Sequence, residues 1–158
     1  MRLLTLIALA VALVVAGCGS DGGGDDDAKK PPSGSSAEQQ ITKVFDDYNA
    51  ALLDRDYPKA CGYLAPETIA KLRENVKKLD PRAPRDCPGD LELIYGKLHG
   101  KLLERFKNVS RTAHVDKVTV TGDSAIINWT ATFLGKRVKT SQSARQVDGE
   151  WKLVDVSN

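Results

Sequence analysis

Few residues of this chain have the chemistry to cut, transfer or ligate. There are three cysteines, Cys18, Cys61 and Cys87, and two histidines, His99 and His114. A thiolate can act as a nucleophile or a metal ligand, and histidine is the side chain that titrates nearest neutral pH. Acid–base catalysis needs two ionisable groups that converge with their pKa values pushed apart. Neither histidine is expected to have the carboxylate partner that would make such a dyad. Asp46, Asp47 and Tyr48 are adjacent, but Tyr48 falls on an apolar stripe, where core packing with a bonded hydroxyl is the simpler expectation. Two separated histidines do not make a metal site. Asp25, Asp26 and Asp27 sit among glycines, where carboxylates are poorly preorganised for a cation. We therefore expect no catalytic residue, no metal and no cofactor.

The elements that would position these residues begin with an export segment. Met1-Arg2 carries one positive charge, and Leu3 to Val15 is an apolar run interrupted only by Thr5. That order, ending at small residues, is the order of a secretory signal. The run is shorter than the roughly 20 residues a spanning helix needs. Its end, Val15-Ala16-Gly17-Cys18, resembles the lipobox of bacterial lipoproteins. The resemblance implies that the Cys18 thiol receives a diacylglycerol and that cleavage leaves Cys18 as the new N-terminus. It also implies a protein anchored to lipid on the extracytoplasmic face of a cell membrane. Gly19 to Ser35 has no apolar side chain larger than alanine or proline. Such a stretch cannot bury enough surface to offset its ordering entropy, and as a flexible tether it would span about 20–25 Å.

Beyond the tether, apolar residues recur at helical spacing. Ser36 and Gln39 form a capping box, followed by the stripe Ile41, Val44, Phe45, Tyr48 and Leu52, with Asp54-Arg55-Asp56 as the stop. A short helix is expected from Pro58 to Leu64. Pro66 opens another, with Ile69, Leu72, Val76 and Leu79 as its buried face and Asp80-Pro81 as its end. Pro81 to Gly89 reads as a loop. Asp90 is expected to cap a last helix carrying Leu91, Ile94, Tyr95, Leu98, Leu102 and Phe106, with Gly96 and Gly100 inside it, either for close approach or for a bend. From Thr112 the period changes to two. Val118 and Val120 alternate with polar residues; Ile127, Trp129, Ala131 and Phe133 share a face; Val138 to Val147 is polar; and Asp148-Gly149 is a hairpin signal before Trp151, Leu153, Val154 and Val156. Helices followed by an antiparallel meander make an α+β fold.

Within that pattern, Tyr57-Pro58-Lys59-Ala60-Cys61-Gly62-Tyr63-Leu64 and the closing Gly149-Glu150-Trp151-Lys152-Leu153 resemble segments of the NTF2-like (cystatin-like, SnoaL-like) superfamily. The resemblance implies helices packed on a curved antiparallel sheet, forming a cone able to hold a small apolar ligand, with Tyr48, Trp129 and Phe133 as candidate pocket residues. It divides the chain into a lipoprotein signal peptide (residues 1–17), a disordered tether (18–35) and an NTF2-like domain (36–158). Once Cys18 carries lipid, Cys61 and Cys87 remain as an even pair in an oxidising compartment, where a disulfide is expected. A reactive thiol pair is the alternative, although nothing here resembles Cys-x-x-Cys. The expected function is a non-enzymatic module of the cell envelope that binds a small ligand or another protein. The alternative is a SnoaL-like or ketosteroid-isomerase-like enzyme acting on a small apolar molecule. A homodimer through the exposed sheet face is possible in such folds, though a polar third strand disfavours it. Net charge of +2 with interleaved acids and bases gives no reason to expect nucleic acid.

Overall fold

A computed structural model describes residues 36–83 and 86–154. The readings for the signal peptide, the lipobox with Cys18 and the tether lie outside them. Five helices come first: α1 (Ala37–Asp54), α2 (Tyr57–Gly62), α3 (Pro66–Leu79), α4 (Cys87–Leu91) and α5 (Gly100–Thr112), with a π-helical turn at Glu92–Gly96 between the last two. Four strands follow, β1 (His114–Thr121), β2 (Ser124–Phe133), β3 (Lys136–Val147) and β4 (Glu150–Val154), paired antiparallel in chain order. Among the described residues, no helix is long and apolar enough to cross a membrane.

The helix α1 starts as expected. Gln39 N donates to Ser36 Oγ at 3.3 Å and Ser36 N to Gln39 Oε1 at 3.0 Å, which satisfies two of the free donors of the first turn. Its buried side chains Ile41, Phe45 and Leu52 meet the inner face of the sheet, where Ile127, Trp151 and Leu153 are also buried. The link between α2 and α3 lies along β4: Leu153 N donates to Tyr63 O and Ala65 N to Leu153 O, at 2.8 and 2.9 Å. The free edge of β4 is thereby paired at Leu153. Among the described residues this core lies between Ala37 and Leu153, so the compact unit Gly34–Asn158 has a core of its own, as a domain able to fold alone requires.

Four expectations are corrected. In α3 only Val76 is fully buried, and Leu79 is 76% exposed. The helix packs against α4 and β4, and the Leu79 side chain in its last turn is left in solvent. Asp90 does not cap a long helix. Asp86 caps α4 instead, accepting from Gly89 N at 2.8 Å, while Asp90 is 0% exposed inside the fold. The long last helix is broken in two. A Cβ on Gly96 would stand 3.3 Å from the Tyr57 hydroxyl, so Gly96 serves close approach, whereas Gly100 adopts a left-handed φ of +54° that restarts the chain as α5. Finally, the stripe assigned to that helix leaves Leu102 56% exposed, and Phe133 at the end of β2 is 45% exposed. Both lie beyond the reach of the buried core.

Candidate functional site

Cys61 and Cys87 form a disulfide, with their Cα atoms 6.0 Å apart. It joins α2 to the start of α4 and fixes the base on which the π-helical turn stands. An extra residue per turn in a π-helix rotates the following side chains. Here the turn carries Tyr95, whose ring lies against Phe106 with centroids 4.9 Å apart.

Tyr95 is one wall of a cleft of about 180 Å3 between the helices and the sheet. Tyr48 enters it from α1, Thr68, Leu72 and Asn75 from α3, Leu91 from α4 and Gln142 from β3, with Leu64 completing the lining. The polar groups are hydroxyls and carboxamides, which act as neutral donors and acceptors. Thr68 Oγ1 also donates to Leu153 O at 3.2 Å, which ties α3 to the sheet beside the cleft.

Of the three expected pocket residues, Tyr48 lines this cleft and the other two do not. Trp129 is packed against Phe45 with ring centroids 5.3 Å apart, its indole N–H buried away from any acceptor among the described residues. Phe133 sits at the far end of β2 near solvent. Sequence reasoning missed Thr68, Asn75 and Gln142. Gln142 had a signal: it shares strand parity with buried Ala144, so a carboxamide points into a face that otherwise buries apolar groups. Asn75 had no such signal, since its position depends on how far α3 overlaps the sheet.

Ionisable groups gather elsewhere. His114, Asp116 and Arg137 line a cleft of about 370 Å3 at the β1 edge, together with Thr112, Thr130 and Thr132. His114 thus shares this cleft with one carboxylate, Asp116. A bulge between Val115 and Lys117 frees Asp116 from the ladder, and Asp116 Oδ1 accepts from Thr130 Oγ1 at 3.3 Å. Asp46 of α1 also feels the His114 charge. Partial loss of water, reinforced by neighbouring Asp47, raises the Asp46 carboxyl above its ordinary value, and His114 opposes that rise. Asp47 is instead lowered, chiefly by Lys43 Nζ at 2.6 Å. Among the described residues, no group of three or more His, Cys, Asp or Glu side chains is arranged to hold a metal ion.

No protein-family model and no curated protein matches the chain. Solved structures with similar arrangements include a protein described as an NTF2-like transpeptidase from Campylobacter jejuni. It has 11% identity and a TM-score of 0.43, over 70% of this chain and 94% of that one. The Tae3–Tai3 type VI effector–immunity complex from Ralstonia pickettii contains another, with 13% identity and a TM-score of 0.43 over 71% of this chain and 88% of that one. A third is an NTF2-like protein from Cytophaga hutchinsonii, with 13% identity and a TM-score of 0.33 over 72% and 87%. At this level of similarity the activity of the chain is argued from its own residues.

Proposed function

We propose that this chain is a lipid-anchored module of the cell envelope, with a domain of NTF2-like type that binds a small neutral polar molecule without transforming it. The observation that carries the binding role is the cleft between helices and sheet, to which four different elements bring Tyr48, Asn75, Tyr95 and Gln142. Convergent neutral donors and acceptors with apolar neighbours fix the orientation of an uncharged ligand. The cleft of about 180 Å3 suits a small molecule. Its lining has no carboxylate, histidine, lysine or arginine side chain, which favours binding over the ketosteroid-isomerase-like alternative. The anchor rests on the resemblance of Val15-Ala16-Gly17-Cys18 to a lipobox.

Ligand-observed NMR on the 34–158 unit, with a panel of small amides, polyols and short-chain acids, tests the cleft. Neutral compounds should bind and acids should not, and Gln142→Leu should weaken binding about tenfold by leaving a ligand polar group unpaired. Binding that Gln142→Leu leaves unchanged would place the ligand elsewhere. Turnover of any bound compound would restore the enzyme reading.

A further inference from the structure

The turn between β2 and β3 breaks two rules of folding at one residue. Leu134 and Gly135 form its two central positions, with φ of +51° and +76°. The next hairpin solves the same geometry with Asp148 and Gly149, at +52° and +81°. Two-residue turns of this kind favour Asn, Asp or Gly at the first position, because a Cβ there is crowded. A leucine is a poor choice for the backbone. It is also a poor choice for solvent, since Leu134 is 60% exposed.

Leu134 is not alone. Phe133 and Val138 beside it are exposed, and so is Leu102 near the start of α5. Leu134 and Gly135 share a shallow groove with Lys101 and Arg105 of α5, and Asn108 Nδ2 donates to Thr132 O at 3.0 Å, which holds the helix against the hairpin. Leu102 lies three positions from Arg105 on that helix, hence on the same side. The charge around these apolar groups is mainly positive. No acidic residue occurs between Asp123 and Asp148, whereas Lys136, Arg137 and Lys139 all fall at the hairpin tip, in a chain whose net charge is only +2. Glu104, the one acid of the groove, faces Lys107 at 3.4 Å.

We propose that the β2–β3 hairpin tip and the first turns of α5 dock on an anionic lipid surface. In this arrangement Phe133 and Leu134 enter the boundary between headgroups and acyl chains, and the flanking lysines and arginines meet the phosphates. Apolar side chains ringed by cations are the pattern of interfacial membrane binding. A second copy of the chain fits worse, because it would set the same cations against one another. The proposal goes beyond the anchor reading and does not need it. If Cys18 carries lipid, the tether would keep the tip close to the surface it binds.

Co-sedimentation of the 34–158 unit with vesicles tests this. Vesicles of phosphatidylglycerol mixed with phosphatidylcholine should bind the protein, with binding that weakens as salt rises, and vesicles of phosphatidylcholine alone should not. Leu134→Asn should cut partitioning about tenfold while leaving the thermal midpoint unchanged or higher, because asparagine tolerates the left-handed turn. That combination excludes misfolding as the cause. Lys136→Ser with Arg137→Ser should lower partitioning by about fivefold for each charge. No binding to anionic vesicles, or equal binding by Leu134→Asn, would overturn the proposal. So would a dimer in light scattering that Leu134→Asn dissolves, since that would assign the patch to a second copy.

Discussion

The Cys61–Cys87 bridge spans 26 residues, and its removal is the perturbation whose size follows most directly from the fold. Cross-linking a loop of that length removes roughly 12 cal/mol/K of entropy from the unfolded chain, or about 3.5 kcal/mol at 25 °C. An unfolding entropy of about 2.1 cal/mol/K per residue gives about 0.26 kcal/mol/K over Gly34–Asn158. The thermal midpoint should then fall by about 13 °C on reduction. Reduction is a cleaner test than mutation, because Cys87 is buried in the core and alanine there would also lose packing. The assay is thermal unfolding followed by circular dichroism, with and without dithiothreitol, after mass spectrometry has confirmed two free thiols in the reduced sample. A fall of less than about 3 °C would contradict a stabilising bridge. It would mean that the bridge does not constrain the unfolded chain, and that these cysteines are better treated as a reactive pair.

Two further perturbations probe the fold around the cleft. Arg73→Ala should cost about 2–3 kcal/mol by urea denaturation, because Arg73 Nε at 3.5 Å is the cation facing Asp90, whose side chain is fully buried. Adding Asp90→Asn to that variant should recover part of the loss by removing the stranded charge; no recovery would assign the cost to packing. Glu67 and Arg145 join α3 to β3 through two bonds, one of 2.8 Å, and Arg145 holds the Glu67 carboxyl down at about 2. A depressed folded value contributes stability that is present above the ordinary carboxylate range and lost as pH falls from about 4.5 to 2. Both side chains are partly in water, so the contribution should be under about 1 kcal/mol. The acid limb of a stability–pH curve should therefore be slightly shallower in Glu67→Gln, and an unchanged limb would show the pair to be inert.

Local signals were the most legible part of the sequence. Ser36 with Gln39 located the start of α1, Pro66 the start of α3, and Asp148-Gly149 the last hairpin, because each depends on residues within one turn of chain. The α+β order followed from the change of hydrophobic period near Thr112. What failed depended on tertiary contact. Leu79 and Leu102 carry the right spacing for burial, but both are largely exposed among the described residues. The break around Gly96 and Gly100 needs Tyr57 to approach from a different helix, which no local pattern reveals. Tyr48, on an apolar stripe with a polar tip, lines the cleft. Trp129 and Phe133 lie outside it, because strand parity indicates a face without showing how far along it the helices reach. The His114 cleft was missed for a similar reason, since a one-residue bulge at Asp116 changes which side chains meet.

The lipid anchor that would set this domain at a membrane is open to one direct measurement, intact-mass spectrometry of the full chain recovered from the membrane fraction of a bacterial host. The expected species is a polypeptide beginning at Cys18, heavier than its sequence by at least one diacylglyceryl group, with Cys61 and Cys87 two hydrogens lighter than free thiols. A chain that begins at another residue, or that carries an unmodified Cys18, would contradict it.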